Sequence, residues 1–374
     1  IVELTKKVFK TNGHSMKLEK LTLKDYEQVK NLTKKCGLSF LKKDDWKNIW
    51  KKNPFIISSQ KDWVFGWKLV DQNSQIVGAI HNIPFVFYFK NEKILAAICG
   101  NWVVDNKYRS LSLSLRSAFL NQKDISLYIT NTANEISEKV MEAFRAKKIL
   151  QYEYINRKIF ILNKKKTIFN YIKKFSFKRN LILDIKNFKN SLFKKINLDI
   201  NQNFVLSNSF DKDFNDLNED LKKIEILYSS KSQEWLLWKY SRLINTNELW
   251  VIKNYNNKKL AGFLVFIINY EKNYKLKRST ITEFSFINKN DSRNLEMIKK
   301  CILVSKKLNC DLVDVVGFNK FKKDMFKEIG FTDKETKNFS FLVKNLNPQI
   351  ERILFNNENT LDMSLTDGDA IFSL

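Results

Sequence analysis

The sequence predicts a protein of the α+β or α/β class, built from two tandem copies of one unit. Each copy is a mixed, mostly antiparallel sheet flanked by helices. The first observation is an internal repeat: Ile76–Ile80 returns as Leu260–Leu264, and the apolar strand before Arg109 returns before Arg293, both about 184 residues later. A repeat this long indicates a duplicated domain, because solenoid repeats span only about 20 to 50 residues. The second observation is the order of elements within each copy.

That order is clearest in the first copy. Apolar runs rich in β-formers predict strands, and apolar residues spaced three and four apart predict helices. The predicted elements are a helix at 25–35, strands at 64–70, 75–89 and 94–104, a helix at 111–121, a strand at 125–130, a helix at 134–148 and a strand near Ile159. A tryptophan pair opens each copy, Trp46 with Trp50 and Trp235 with Trp238.

The junction between the 94–104 strand and the next helix has a spacing suited to phosphate binding. Arg109, Ser112 and Ser114 form the pattern Arg-x-x-Ser-x-Ser at the helix start. Small residues there let backbone N–H groups approach a phosphate closely, and the helix dipole favours its negative charge. Taken alone, the segment is better explained as the capped start of an amphipathic helix, since short phosphate motifs have many false matches.

Combined with the element order, the motif resembles the GNAT superfamily of acyl-CoA-dependent acyltransferases, whose signature is Arg/Gln-x-x-Gly-x-Gly/Ala. The resemblance implies two tandem GNAT-like domains, with acetyl-CoA or another acyl-CoA as co-substrate at the first. The second copy has Lys289–Leu295, without a pattern of small residues, in place of the motif and is expected not to bind CoA. The implied CoA-binding residues are Val103, Val104, Arg109, Ser110, Leu111, Ser112, Leu113, Ser114 and Asn134.

A second fragment adds to the resemblance. After the fifth GNAT strand, an asparagine meets the pantetheine arm and a tyrosine can protonate the leaving thiolate. Asn134 and Asn319 occupy the asparagine position, whereas Met141 and Phe326 replace the tyrosine and are expected to be helix core. The segment Thr132–Glu135 is also similar to one in tandem GNAT proteins of bacterial surface-polysaccharide clusters.

A GNAT enzyme needs a base, because an acceptor amine attacks the thioester only in its neutral form. The resemblance implies a carboxylate on the strand before the phosphate motif, where the first copy has Cys99 and the second has Glu283. Glu135, just inside the next helix, is the other catalytic candidate, and we expect it to matter more than Glu283. The alternatives are a surface carboxylate for Glu283 and a helix-dipole role for Glu135.

Composition bounds the remaining possibilities. A chain of 374 residues, 44% of them apolar, is large enough for two domain cores. The sequence shows neither a spanning apolar run nor the core of a signal peptide, so a cytoplasmic protein is expected. Its four cysteines and two histidines have no metal-binding or redox spacing, so no metal is expected.

The formal net charge of +26 suggests nucleic-acid binding. However, the lysines are spread through a chain rich in Asn, Ile and Phe, as an AT-rich genome produces, so no specific nucleic acid is expected. The exception is the basic aromatic segment 163–197. It either packs between the copies as a linker, which we favour, or contacts an anionic membrane or polyanion peripherally. The predicted divisions are an extension or cloning remnant at 1–16, GNAT-like domains at 17–162 and 200–346, the linker at 163–199 and a C-terminal tail at 347–374.

The resemblance implies a CoA-dependent N-acyltransferase that transfers an acyl group, most simply acetyl, to an amine of a sugar or other small metabolite in a ternary complex. The resemblance also implies that Asp367 and Asp369 of the tail reach the substrate cleft. Two alternatives remain. One is a Fem-type aminoacyltransferase, which duplicates the same fold and uses aminoacyl-tRNA, and the other is a catalytically degenerate binding protein of this fold.

Overall fold

The computed structural model describes residues 7–11, 14–60, 62–149, 157–167, 203–271, 275–334, 340–356, 360–364 and 366–373. These residues fold into two mixed sheets flanked by helices, as the sequence predicts. Of the basic aromatic segment, residues 168–197 lie outside this description. None of the described helices is long and apolar enough to cross a membrane.

The first half supplies the elements in the predicted order. The strands are β1 (Lys7–Thr11), β2 (His14–Lys20), β3 (Gly66–Val70), β4 (Ile76–Phe89), β5 (Glu92–Val104), β6 (Leu127–Ala133), β7 (Lys147–Lys148) and β8 (Arg157–Ile161). The helices are α1 (Tyr26–Lys35), α2 (Lys43–Lys51), α3 (Pro54–Ser59), α4 (Ser112–Leu120) and α5 (Glu135–Ala143), with 3-10 helices at Leu23–Asp25 and Asn106–Leu111.

Two of these elements differ from the prediction. Strand β1 falls in the segment expected to be an extension, yet it pairs antiparallel with β2 and belongs to the first sheet. The helix predicted to reach residue 148 ends at Ala143, because Arg145 takes a left-handed conformation with φ of 65° that a right-handed helix excludes.

The second half repeats the pattern. Its strands are β9 (Phe204–Ser207), β10 (Leu227–Ser229), β11 (Leu249–Asn256), β12 (Lys259–Glu271), β13 (Leu276–Phe286), β14 (Leu312–Val316), β15 (Thr332–Lys334), β16 (Ser340–Asn345) and β17 (Leu361–Asp362). Its helices are α6 (Asp213–Lys222), α7 (Gln233–Lys239), α8 (Ser241–Asn245), α9 (Arg293–Lys307), α10 (Lys320–Ile329), α11 (Pro348–Asn356) and α12 (Ala370–Ser373).

The two sheets share one strand order but exchange a strand. The first runs β1-β2-β3-β4-β5-β6-β16-β7 and the second runs β15-β8-β14-β13-β12-β11-β9. Strand β8, which follows the first unit in the chain, pairs with β14 and β15 of the second sheet. In return β16 pairs with β6 and β7 of the first. The predicted boundaries at 162 and 346 include β8 in the first domain and β16 in the second, although each strand pairs in the sheet of the other domain. The apolar pattern of a strand does not specify the strand with which it pairs.

The tryptophan pairs lie where the two units meet. All four rings are buried in one apolar cluster, those of the first pair on α2 and those of the second on α7. Phe85 of β4 packs edge-on against Trp235 at 5.4 Å between ring centroids. The indole Nε1 of Trp238 donates to backbone carbonyls of α2 at 3.2 Å. The two units therefore share part of their core.

A C-terminal segment, residues 360–364 and 366–373, lies against both sheets. Its strand β17 pairs in parallel with β10, and β10 pairs antiparallel with the end of β4. Beyond β17, Asp367 contacts Ser229 of β10, and Asp369 contacts Thr132 of β6. This route carries the turn Asp367–Asp369 to the centre of the molecule.

Candidate active site

A wedge forms where β5 and β6 of the first sheet separate. The strands pair in parallel from Ala96–Ile98 against Leu127–Ile129 and diverge beyond. In the diverging part β5 carries a bulge, because Asn101 and Trp102 together lie opposite the single residue Ile80 of β4. Asn101 has a φ of 40°, as expected where an extra residue is inserted. A bulge takes backbone N–H groups out of the ladder, so they can hold a side chain or a ligand.

Asp369 occupies this wedge. Its Oδ1 accepts a hydrogen bond of 3.0 Å from Thr132 Oγ1 on β6, and its carboxylate also accepts from the backbone N–H of Asn101 in the bulge. Burial raises the pKa of Asp369 to about 6, although both hydrogen bonds favour the ionised form and oppose the rise. A carboxylate with this pKa, held between the diverging strands, is suited to accept a proton near neutral pH.

The backbone around Asp369 needs two glycines. A Cβ on Gly100 would stand 3.3 Å from the Cβ of Asp369, so a larger residue in the bulged strand would displace the acid. A Cβ on Gly368 would collide with the side chain of Asn131, at 2.1 Å from its Nδ2. The Asp-Gly-Asp sequence, which alone is a common turn signal, is therefore required here by close packing.

His81 of β4 lies near the same point but is not a base. A Cβ on Gly100 would lie 3.5 Å from its Cβ. Its Nε2 accepts a hydrogen bond of 3.2 Å from the indole of Trp46, and burial lowers its pKa to about 3. The imidazole is therefore neutral at physiological pH, and its ring packs among aromatic side chains.

Arg116 of α4 reaches the apex of the wedge from the other side of the sheet. It is fully buried and donates from Nη2 to Thr130 Oγ1 at 2.7 Å. Its guanidinium lies over the rings of Trp102 and Phe119, with 5.1 and 5.2 Å from Cζ to the centroids. The apex therefore carries a buried positive charge within the first sheet.

The predicted phosphate motif folds differently from the expectation. Asn106–Leu111 form a 3-10 helix with a kink at Tyr108, whose φ of −118° and ψ of 16° are not helical, and α4 follows at Ser112. Asp105 caps the 3-10 helix by accepting from the N–H of Lys107 at 3.2 Å, and its carboxylate pairs with Lys35 at 2.5 Å. The exposed side chains of Lys107 and Arg109 stand beside this start and supply the positive charge that a diphosphate needs.

The other predicted cofactor residues are dispersed around this junction. Val103 and Leu111 are buried core residues, Val104 and Ser112 are half-buried, and Ser110 is exposed. Leu113 is 49% exposed, and the Ser114 hydroxyl donates to the carbonyl of Leu111 at 2.7 Å. Asn134 is the N-cap of α5, where its side chain accepts from the N–H of Ser137 at 2.9 Å.

Neither predicted base lies at the bulge of the first sheet. Glu135 is on the surface, with its side chain 78% exposed and paired with Lys139 at 3.4 Å. Glu283 is buried on β13, and each of its oxygens pairs with a lysine at 2.6 Å, Oε1 with Lys231 and Oε2 with Lys239. A carboxylate with both oxygens in buried ion pairs is a structural group.

Glu283 belongs to a buried charge cluster formed by Lys231, Lys239, Glu283 and Asp367. Lys239 also pairs with Asp367 at 2.8 Å, and Ser229 donates to the same carboxylate. Burial alone would raise the pKa of Asp367, but the two lysines outweigh it and hold the pKa well below the usual range. The cluster has two positive and two negative members, so its charges balance. It fixes the C-terminal segment to the second unit.

The wedge of the second sheet is filled by the C-terminal segment. Strands β13 and β14 pair up to Ile281 and Val315 and then diverge. In the space between them Asn319, the N-cap of α10, donates from Nδ2 to the carbonyl of Leu361 at 2.9 Å. The buried Lys322 donates to Asp362 and to the carbonyl of Phe284. The protein's own backbone thus runs beside the asparagine that corresponds to Asn134 of the first unit.

Several of these residues carry no sequence signal that identifies them. Lys231 and Lys239 look like ordinary lysines in a lysine-rich chain, and Thr132 looks like an ordinary strand residue. Arg116 gives a faint signal, because it is the one charged residue in the otherwise apolar or hydroxylic run Leu111–Leu120. Met141 and Phe326, which replace the expected tyrosine, are buried core residues, as predicted.

No protein-family model and no curated protein sequence matches this chain. Solved structures do match it. Saccharomyces cerevisiae N-myristoyltransferase with bound myristoyl-CoA gives a TM-score of 0.55 at 14% identity, over 91% of this chain and 83% of that one. GCN5-related N-acetyltransferases from Anabaena variabilis and Kribbella flavida give 0.55 and 0.54 at 10% and 11% identity, over 89% of this chain and 73% and 71% of theirs. The chain therefore has the fold shared by GCN5-related N-acetyltransferases and N-myristoyltransferase.

Proposed function

We propose that the protein is an acyl-CoA-dependent N-acyltransferase in which Asp369 is the general base. The observation that carries the proposal is the carboxylate of Asp369, with its pKa raised to about 6, at the bulge of the first wedge. A base is most effective when its pKa lies near the working pH. The fold adds support by analogy, because the similar yeast enzyme structure contains myristoyl-CoA.

A contact in the second wedge supports a proposed position for the donor in the first. There Asn319 donates to an extended backbone, that of Leu361, at the position of a helix N-cap. Asn134 is the equivalent N-cap in the first unit, and its side chain is exposed. We place the pantetheine arm along the first wedge within reach of Asn134, with the diphosphate at the helix start near Lys107 and Arg109.

The reaction then proceeds by direct transfer. Asp369 accepts a proton from the ammonium form of the acceptor, and the neutral amine attacks the thioester carbonyl carbon. The C–N bond forms, the C–S bond breaks and CoA leaves as the thiolate. The attacking nitrogen releases to water the one proton that the amide product does not keep, and the thiolate takes a proton from water because Met141 replaces the expected acid. The N–H of Asn101 donates to Asp369, so this amide positions the base. Other backbone N–H donors of the bulge polarise the thioester carbonyl.

The acceptor is proposed from the family resemblance alone: an amine of a sugar or small metabolite, as in surface-polysaccharide synthesis. The acetyl group is likewise the simplest donor by resemblance. Both refine the proposed activity without being needed for it.

Donor binding is tested by thermal shift with CoA. CoA should raise the melting temperature by mass action, and Ser112→Glu should abolish the shift by placing a carboxylate among the phosphates. Ser292→Glu is the matched control, because Ser292 is exposed and precedes α9 at the corresponding junction of the second unit. Equal stabilisation of the Ser112→Glu variant and the parent contradicts the assignment, as does stabilisation by tRNA without any by CoA.

A further inference from the structure

The buried guanidinium of Arg116 has donors that the described protein does not satisfy. Its Nη2 donates to Thr130, whereas Nε and Nη1 are buried without an oxygen or nitrogen acceptor among the described residues. The Cys99 thiol, a weak hydrogen-bond partner, is the group that interacts with the guanidinium there. Within that same set no carboxylate forms an ion pair with Arg116. The indole Nε1 of Trp102, whose ring lies against the guanidinium, is also buried without an acceptor there. Buried donors are almost always paired in native proteins, so this group indicates a ligand.

Neighbouring groups do not neutralise the charge. Arg116 stays protonated, because an arginine side chain does not lose its proton in proteins. Cys99 is the nearest titratable group that interacts with it, and burial raises the pKa of that thiol, although the guanidinium opposes the rise. The thiol is therefore neutral. Asp369 acts from the opposite face of β5, where it lies beside Gly100, Ile83 and His81.

The position of Arg116 identifies the part of a donor that it meets. Thr130 follows the last paired residue of β6, so the guanidinium marks the apex of the wedge. Asn101 of the bulge lies two residues beyond Cys99, which is about 7 Å along a strand. This interval separates the bulge from the part of β5 beside the guanidinium. A four-carbon acyl group with its thioester at the bulge spans it when a carboxylate at the far end forms charge-assisted hydrogen bonds of about 2.8 Å to the guanidinium.

We infer that Arg116 recognises a carboxylate at the far end of the acyl group, so that the donor is the CoA thioester of a short dicarboxylic acid. The inference rests on the proposed function and specifies its donor. A long hydrocarbon chain would leave the guanidinium and the indole N–H buried beside carbon atoms, and an acetyl group is too short to reach them. A terminal carboxylate provides acceptors for both groups and balances the charge.

The test measures binding of succinyl-CoA, acetyl-CoA and free CoA by calorimetry. We expect the parent protein to bind succinyl-CoA at least about tenfold more tightly than acetyl-CoA, as hydrogen bonds to a charged group imply. Arg116→Met should bind both thioesters equally, and Arg116→Lys should recover part of the preference. Equal binding of the two thioesters by the parent, or a preference that survives in Arg116→Met, overturns the inference.

Stability measurements keep the test independent of folding defects. Arg116→Met removes an unpaired buried charge, so the ligand-free variant should melt no lower than the parent. Arg278→Met is the matched control, because Arg278 is buried in the second sheet but pairs with Glu271 and Asp314, and its loss should lower the melting temperature. Binding of free CoA without any preference between thioesters defeats this inference alone, whereas no binding of any CoA species defeats the proposed function as well.

Discussion

The first sheet separates after Ile98 and Ile129, and the second separates after Ile281 and Val315, yet the two wedges differ in what fills them. The second holds Leu361 and Asp362 of the same chain, with the ammonium of Lys322 paired. The first holds one carboxylate and is flanked by a guanidinium whose remaining donors have no oxygen or nitrogen acceptor among the described residues. The same strand arrangement thus serves once as packed structure and once as a candidate site.

The difference lies in charge balance. Around the second wedge the buried charge cluster has two lysines and two carboxylates, and every member contacts a partner of opposite sign. In the first, the pKa of Asp369 is raised and Arg116 has no described carboxylate within ion-pair distance. Charge that is not balanced within a fold is typical of sites that bind or transform a ligand.

The largest effect is expected from removing the carboxylate of the first wedge. Asp369→Asn should lower turnover by about 100- to 10,000-fold, because the acceptor ammonium then has no base. CoA affinity should hardly change. Initial rates with an amine acceptor, together with CoA binding, measure both. Glu135→Gln, which alters an exposed carboxylate at the neighbouring helix, is the control and should retain parental turnover. A fully active Asp369→Asn variant would show that the two wedges do not differ in function.

The second prediction concerns stability and the second wedge. Glu283→Gln leaves Lys231 and Lys239 with a single buried carboxylate between them, so the free energy of unfolding should fall by about 3 to 5 kcal/mol. Urea denaturation followed by tryptophan fluorescence measures the change. An unchanged midpoint would mean that Glu283 is not structural. A loss of turnover with unchanged stability would instead indicate one site composed from both units.

The third prediction uses the pKa of Asp369. The ionised carboxylate is the active form, so turnover should rise with pH and level off above about 6. Because this folded-state pKa lies above the unfolded value of about 4, the acid form is favoured in the fold. The free energy of unfolding should therefore decline between pH about 4 and about 6.

Thr132 provides the matched variant for this profile. Its hydroxyl favours the ionised carboxylate, so Thr132→Val should move the inflection of the rate profile to higher pH. The acceptor's own titration is the same for both proteins, so the displacement reports on Asp369. An identical profile in the two proteins would assign the inflection to another group.

The sequence predicted the two sheets well because their pattern is local. Alternating apolar runs define β4 and β5 within a few residues, and the repeat indicates that the second unit has counterparts of these strands. The sequence did not predict which sheet β8 and β16 join, since the pattern of either strand suits antiparallel pairing with β6 or with β14. Their choice depends on contacts between residues about 150 positions apart or more.

The candidate site was predictable only in part. The tail aspartates were expected near the cleft by resemblance, and the structure separates them: Asp367 is held by two lysines and Asp369 lies in the wedge. Glu135 was preferred because it neighbours Asn134 in sequence, but a helix turn directs it to solvent. Burial and the pairing of distant charges decide which carboxylate is reactive, and neither follows from local spacing.

The strand exchange also sets an order for synthesis on the ribosome. Strand β16 pairs with both β6 and β7, and it is synthesised much later than either. The facing edges of β6 and β7 therefore stay unpaired until residue 345 has left the exit tunnel. Asp369 arrives later still. A nascent chain that already contains the whole first unit therefore exposes strand edges that can pair with other chains until the second unit has been translated.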